Sequence, residues 1–463
     1  MDSDSGETGL GLGTRAESAR ASLPLRQAVF VGVTLFSMFF GAGNLILPPL
    51  LGVQAGRDSL PAILGFFVAG VGLPVLGIVA VALSGTLREL ASRVHPVFAR
   101  LFVALVYLAI GPCLAIPRTA STAFEMLAPL LPEGISLGVA RLVFSVGFFV
   151  VAYLLAMHPG RLTRLLGRVT GPALILLIVG VVMAAVASLA GAPALPDAAP
   201  VAPYDDAPVV QGFLTGYQTM DLLASLTFGL VIASNVRSLG VSEKSGVMRE
   251  ICRAGIMAGV LMIAVYGGLC AVGFEQSVAL AGATNGAEVI TASATAHFGT
   301  AGTVLVAAIF LLACLNVCIG LISCCGTYFS EEIPRVSYGA CAIAFSVFSC
   351  AVSNLGLDAI LDFSALLLGA MYPIAIVLVV MGMLRRLFDG APAAWRWTVG
   401  VTAVVSAVEV LRDALAPGVS LPLDALPLAG VGLGWVVPAL LAAVLSTGVS
   451  RALSVGKIGL LFR

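Results

Sequence analysis

The run Phe40-Gly41-Ala42-Gly43-Asn44-Leu45-Ile46-Leu47-Pro48-Pro49 sets uncovered backbone inside an apolar stretch. Gly41 and Gly43 weaken a helix because glycine has the most backbone freedom to lose. Pro48 and Pro49 have no N–H, so the carbonyls of Asn44 and Leu45 lose their helical donors. A bare carbonyl away from water is costly. A cation or an ammonium group seated on these oxygens removes that cost, and the N–H groups opening the following half-helix suit a carboxylate. Close helix packing through small residues around a proline kink would use the same residue types.

Three other stretches carry polar groups at depth. Thr219-Met220-Asp221 precedes Leu223–Gly229, where Gly229 would allow a second break. Asp221 is either an acid in a binding site or a helix-end acid near the outer interface. IGPCLAIPRTA, residues 110–120, has Pro112 and Pro117, which free the carbonyls of Leu108 and Cys113. Arg118 follows, and a buried arginine costs ~2.5–3.5 kcal/mol or more at the bilayer centre. It needs a partner, which Glu125 or Asp221 could supply, unless it snorkels to the interface. ACLNVCIGLISCCGTYFS, residues 313–330, spaces Ala313, Asn316, Cys318, Gly320 and Ser323 along a helix, with Asn316 its one strongly polar side chain. A small-residue packing face is the alternative there.

Membrane helices must position these groups. Of the 463 residues, 59% are hydrophobic and 10% charged, against roughly 25% charged in a soluble domain. Apolar runs of the length that crosses ~30 Å of hydrocarbon recur along the chain. Lipid-exposed backbone must be satisfied within its own segment, so the runs are helices and the class is all-α integral membrane. Spans are expected near 27–51, 60–84, 98–123, 138–157, 169–191, 213–234, 250–273, 300–328, 337–352, 359–383, 395–414 and 430–450.

With both termini cytoplasmic, Arg57, Arg141 and Arg412 fall outside, Arg118 lies within a span, and every other Lys and Arg falls inside. That bias fits the positive-inside rule. Residues 1–24 lack the apolar core and cleavage site of a signal peptide and read as a disordered cytoplasmic tail. The zero net charge suggests no nucleic-acid partner. The nine cysteines lie mostly in apolar runs and read as packing residues, and no Cys/His cluster has zinc spacing.

Leu35–Gly41 and Leu223–Gly229 both read L-x-S-x-x-F-G, in the first and sixth spans. Five spans per unit would make the second unit inverted, and inverted repeats with matching broken helices point to a transporter binding site. Chance is the competitor, since these residues are common in membrane helices. The resulting division is 25–191 for the first five-helix repeat, 192–212 for an outer loop and 213–384 for the second repeat. Residues 385–463 then hold helices eleven and twelve and a short cytoplasmic end.

In order and spacing, these stretches with TNGAEVI (284–290), SNLGL (353–357) and MYPIAIVLV (371–379) resemble the branched-chain amino acid:cation symporter family, also called transport system II carriers. The resemblance spans roughly residues 25–450. It implies a multi-pass cell-membrane protein, not an enzyme, that imports leucine, isoleucine and valine with a cation. That cation is usually sodium and in some members a proton; no other cofactor is implied. The implied fold is the five-plus-five inverted repeat of the amino acid–polyamine–organocation superfamily, with helices one and six broken.

The resemblance further implies that Ala42, Gly43 and Asn44 hold the substrate carboxylate. Ser225, Thr227 and Phe228, beside Gly229, would take its amine. A sodium site is implied at Gly41, Asn44, Leu45, Ala313 and Asn316. Two hydroxyl residues usually follow the small residue of helix eight; here the positions hold Asn316 and Val317, and Val317 offers no oxygen. Gly326-Thr327 also departs from the Ser-Glu of many relatives. Coupling to protons, or a sodium site with fewer ligands, therefore stays open. Phe39, Phe40 and Phe228 are candidates to line an aliphatic pocket.

Other functions fit less well. A channel would show filter rings from several subunits. A nutrient sensor on this scaffold would carry an added soluble domain, and a transport ATPase needs a G-x-x-x-x-G-K-[ST] loop, which does not occur.

Overall fold

The computed structural model describes residues 22–132, 134–157, 171–389, 391–416, 419 and 422–461. Most of the tail at 1–24, the basic residues Arg161, Arg164 and Arg168, and residues 462–463 lie outside the described residues. The described chain is helical, with no strand among the described residues. Six helical stretches among them are long and apolar enough to cross a bilayer, and a bent pair qualifies as a seventh. Four shorter apolar helices accompany these.

The first span is two helices, α1 (Leu25–Phe39) and α2 (Ala42–Ala55), separated by extended Phe40 and Gly41. Helix α2 runs on through Pro48 and Pro49. The break therefore precedes the prolines and does not fall at the carbonyls of Asn44 and Leu45. Gly56, at φ 48°, turns the chain into α3 (Ser59–Phe67), which reaches α4 (Leu73–Ser84) through a wide turn at Val68–Gly72. After α5 (Leu87–Ser92) come α6 (Pro96–Leu108) and α7 (Ala115–Leu127). Between these two, Gly111 has non-helical dihedrals beside Pro112. Helices α8 (Leu137–Ala156) and α9 (Gly171–Gly191) complete the first half.

The second half opens with another broken span, α10 (Pro208–Tyr217) and α11 (Asp221–Ser238), bent by 48°. The break lies at Gln218–Met220, where Met220 adopts left-handed dihedrals (φ 64°, ψ 8°). This corrects the expectation of a break at Gly229, which lies inside α11 and packs on Val81 of α4. The two L-x-S-x-x-F-G strings are therefore not equivalent: the first ends at its break and the second follows its own.

The remaining helices are α12 (Lys244–Glu275), α13 (Gly286–Phe298), α14 (Thr300–Glu332), α15 (Tyr338–Ser353) and α16 (Leu357–Met383). Short α17 (Arg385–Phe388), then α18 (Pro392–Leu415) and α19 (Val436–Leu461), end the chain.

Glycines bring the broken helices against their neighbours. A Cβ on Gly212 of α10 would stand 1.8 Å from the Ala62 carbonyl oxygen, and one on Gly65 of α3 would stand 1.8 Å from that of Val209. Helix α12 meets α2 the same way: a Cβ on Gly273 would stand 2.0 Å from the Pro49 carbonyl oxygen. These contacts are backbone on backbone, as small-residue membrane interfaces allow. Elsewhere, Leu142, Val143, Val146, Val150 and Leu154 of α8 and Leu440, Leu441, Val444 and Leu445 of α19 stay exposed. Such apolar outer faces suit lipid.

Overpacking a tight interface typically costs about 1–3 kcal/mol. Gly212→Val should therefore lower the thermal unfolding temperature of the detergent-solubilised protein. Gly180→Ala, where a Cβ meets nothing within 4 Å, should leave it unchanged. Equal melting curves for both variants would contradict the packing described.

Candidate functional site

The two broken helices meet at a buried hydrogen-bond network centred on Asn44. Helix α2 begins at Ala42, so Asn44 occupies the third position of its first turn. The Asn44 Oδ1 atom accepts from the Gly41 N–H at 3.2 Å, the reach-back half of a capping box. Its Nδ2 atom donates to Asp221 Oδ2 at 2.6 Å and to the Tyr266 hydroxyl. Tyr266 in turn donates to the same Asp221 oxygen at 3.1 Å. One amide thus fixes the start of α2 to the start of α11 and to the middle of α12. All three residues are buried; Asn44 and Asp221 are each 2% exposed. Asp221 is also the first residue of α11, where the helix dipole favours a carboxylate.

Arg118, on α7, completes the charged centre at 3% exposure. Its Nη1 atom donates to the Gln218 carbonyl at 2.8 Å, a cation at the C-terminal end of α10. A Cβ on Gly43 would fall 2.0 Å from Arg118 Nη2, so the guanidinium packs against the Gly43 backbone in the space a side chain there would take. Arg118 makes none of the ion pairs within 4.0 Å among the described residues. Glu125 pairs instead with Arg141 at 3.4 Å, so of the two partners expected from the sequence only Asp221 faces the same space.

That space is a cavity of about 40 Å³ bordered by Gly41–Asn44, Arg118, Asp221 and Phe228. By this measure it holds about four waters at most, at about 10–15 Å³ each. Phe39 and Phe228 pack against each other at its wall, with ring centroids 5.5 Å apart, and Ile110, Val317 and Leu321 add aliphatic walls. The N–H groups of Ala42, Gly43 and Asn44 open α2 at its edge, and a helix leaves its first N–H groups without helical partners.

The structure gathers Gly41, Ala42, Gly43, Asn44, Phe228, Arg118 and Asp221 around one cavity. Ser225, Thr227 and Gly229 do not line it. Their helix is continuous, and the Ser225 and Thr227 hydroxyls bond the Leu222 and Ala224 carbonyls of their own turn. Phe40 also points away, stacked between Phe36 and Tyr266. Leu45, Ala313 and Asn316 are buried but do not border the cavity; on α14 the neighbour Val317 does, touching Gly41. The Asn316 Nδ2 atom is buried without a hydrogen-bond partner. Sequence reasoning missed Tyr266 and Thr119. A lone tyrosine hydroxyl at mid-span was the one available signal, since it needs a partner when buried.

The family model described as branched-chain amino acid transport protein matches residues 25–453. The chain is 37% identical to a branched-chain amino acid permease, BraB, of Bacillus subtilis over 92% of this chain and 95% of that one. It is 38% identical to the branched-chain amino acid transport system 2 carrier protein of Pseudomonas aeruginosa, over 91% and 96%. Among solved structures, it is similar to Mhp1, a nucleobase-cation-symport-1 family transporter in a closed conformation. The TM-score is 0.58 and the identity 16%, over 92% of each chain. It is also similar to a manganese transporter of Eremococcus coleocola, with TM-score 0.57 and 14% identity over 93% and 97%. At these identities the likeness concerns the fold alone.

Removing one partner of a buried network costs about 1–3 kcal/mol. Asn44→Ala should lower thermal stability by that order and sharply reduce transport in an uptake assay. Thr227→Ala, which removes only a bond within one helical turn, should change uptake by less than about twofold. Loss of uptake in Thr227→Ala with normal uptake in Asn44→Ala would overturn the site.

Proposed function

The chain belongs to the branched-chain amino acid transport protein family, and on that premise we propose that it imports leucine, isoleucine and valine by cation symport through alternating access. The observation that carries this reading is the convergence of two broken helices, with Arg118 and Asp221 beside their ends, on one buried cavity. Irregular backbone at membrane depth is tolerated where it lines such a cavity. An aliphatic side chain does not fit within about 40 Å³, so binding requires the helices to part, as a carrier that alternates between openings demands. The protein sits in the cell membrane with both termini cytoplasmic, as the distribution of basic residues supports.

Phe39, Phe228, Ile110, Val317 and Leu321 supply the apolar surface for the substrate's branched end. Burying such a side chain contributes roughly 1.5–3 kcal/mol. One methylene is worth only about 10–200-fold, so the three substrates are poorly separated.

The coupling cation would lie between α2 and α14, against Gly41, Asn44, Leu45, Ala313 and Asn316. The oxygen set is thin. The Asn44 Oδ1 atom is committed to the Gly41 N–H, and the Gly41 carbonyl accepts from the Leu45 N–H at 3.3 Å. The carbonyls of Asn44 and Leu45, freed by Pro48 and Pro49, and Asn316 Oδ1 remain. This favours a second reading in which a proton replaces sodium.

Labelled leucine uptake into proteoliposomes, with sodium and proton gradients imposed separately, tests both readings. Accumulation under one gradient is expected. No accumulation under either would sink the symport reading. Sodium-driven uptake that survives Asn316→Ala would remove Asn316 as a ligand.

A further inference from the structure

We propose that Arg118 and Asp221 recognise the two charges of a free amino acid: the guanidinium, with the N–H groups of Ala42–Asn44, takes the carboxylate, and the Asp221 carboxylate takes the ammonium. The inference rests on the transport reading above and names its recognition chemistry.

The argument begins with unused donors. A guanidinium carries five N–H donors in a planar fork that matches a carboxylate. Arg118 spends one on the Gln218 carbonyl, and its side chain makes no other hydrogen bond among the described residues. Its side chain is nonetheless almost wholly buried and borders the cavity. Its Nη2 atom lies against Gly43, beside the N-terminus of a fourteen-residue helix. Two independent anion-seeking groups therefore converge on one spot, and no protein carboxylate within 4.0 Å of Arg118 satisfies them.

The ammonium needs acceptors, and the break in the sixth span offers few carbonyls. Those of Thr215, Gly216 and Tyr217 accept from the N–H groups of Gln218, Thr219 and Met220. That of Gln218 accepts from Arg118, and that of Met220 from the Ala224 N–H, which leaves the Thr219 carbonyl, on a residue that borders the cavity, to accept from the ammonium together with Asp221. Asp221 lies at the same break, borders the cavity, and is held by Asn44 and Tyr266 through a single oxygen, Oδ2. Its carboxylate has the capacity left to accept from an ammonium. The apolar walls then face the side chain, so charge and shape select a small aliphatic α-amino acid.

Binding of leucine, leucinamide (no carboxylate) and 4-methylpentanoate (no ammonium) to the purified full-length protein tests the assignment. Arg118→Gln should weaken leucine by about 100-fold or more and leave leucinamide within about threefold of its wild-type affinity. Asp221→Asn should show the mirror pattern, weakening leucine while sparing 4-methylpentanoate. If Arg118→Gln does not fold, Arg118→Lys keeps the charge but not the fork, and should weaken leucine while sparing leucinamide. Equal weakening of leucine and leucinamide, or unchanged leucine binding, would overturn the proposal. Failure of the wild type to bind leucine at all would instead overturn the transport reading.

Discussion

The architecture turns on one amide. Asn44 holds the Gly41 N–H with its oxygen and the Asp221–Tyr266 pair with its nitrogen. Without those bonds, the start of α2 and the start of α11 would each leave uncompensated polar groups in an apolar interior, a high-cost condition. With them, two helices that do not cross the bilayer intact become a rigid centre. The glycine contacts of α2 with α12 and of α10 with α3 press the same pieces together from outside. The network and the packing act at different depths of one assembly.

The same centre is closed. Its cavity has room for only a few waters. Just beyond it, Tyr217 of α10 stacks on Tyr372 of α16 at 4.5 Å. Past Tyr217 and Gln218 lies a second, larger cavity of about 220 Å³ that reaches Glu409, Asp413 and Trp435. Broken helices suit a partition of this kind, because half-helices joined by short extended segments can tilt without breaking intrahelical bonds. The left-handed Met220 sits at such a joint, and strain of that sort concentrates at functional sites.

Much of this was legible in the sequence because it depends on local chemistry. Apolar run length gave the helices, and Gly41 with Gly43 gave the first break to within two residues. Arg118 and Asp221 stood out because charge at membrane depth is costly. The second break was misplaced because no proline marks it. A left-handed methionine, a residue with no turn preference, makes it, and only tertiary packing can hold that conformation. Asn44 was read as a backbone group at a ligand site, while its side chain turns out to organise the centre. Tyr266 was invisible for the same reason. The partners of a buried amide lie far away in sequence, and hydrophobic periodicity carries no record of them.

The central claim is that substrate binds where the two breaks meet. An experimental structure with leucine bound tests it most directly. The account predicts leucine density between the first turn of α2 and Asp221, with its carboxylate within hydrogen-bond distance of the Ala42–Asn44 N–H groups. Leucine seated only in the second cavity beside Glu409 and Trp435, with the centre still closed, would contradict it.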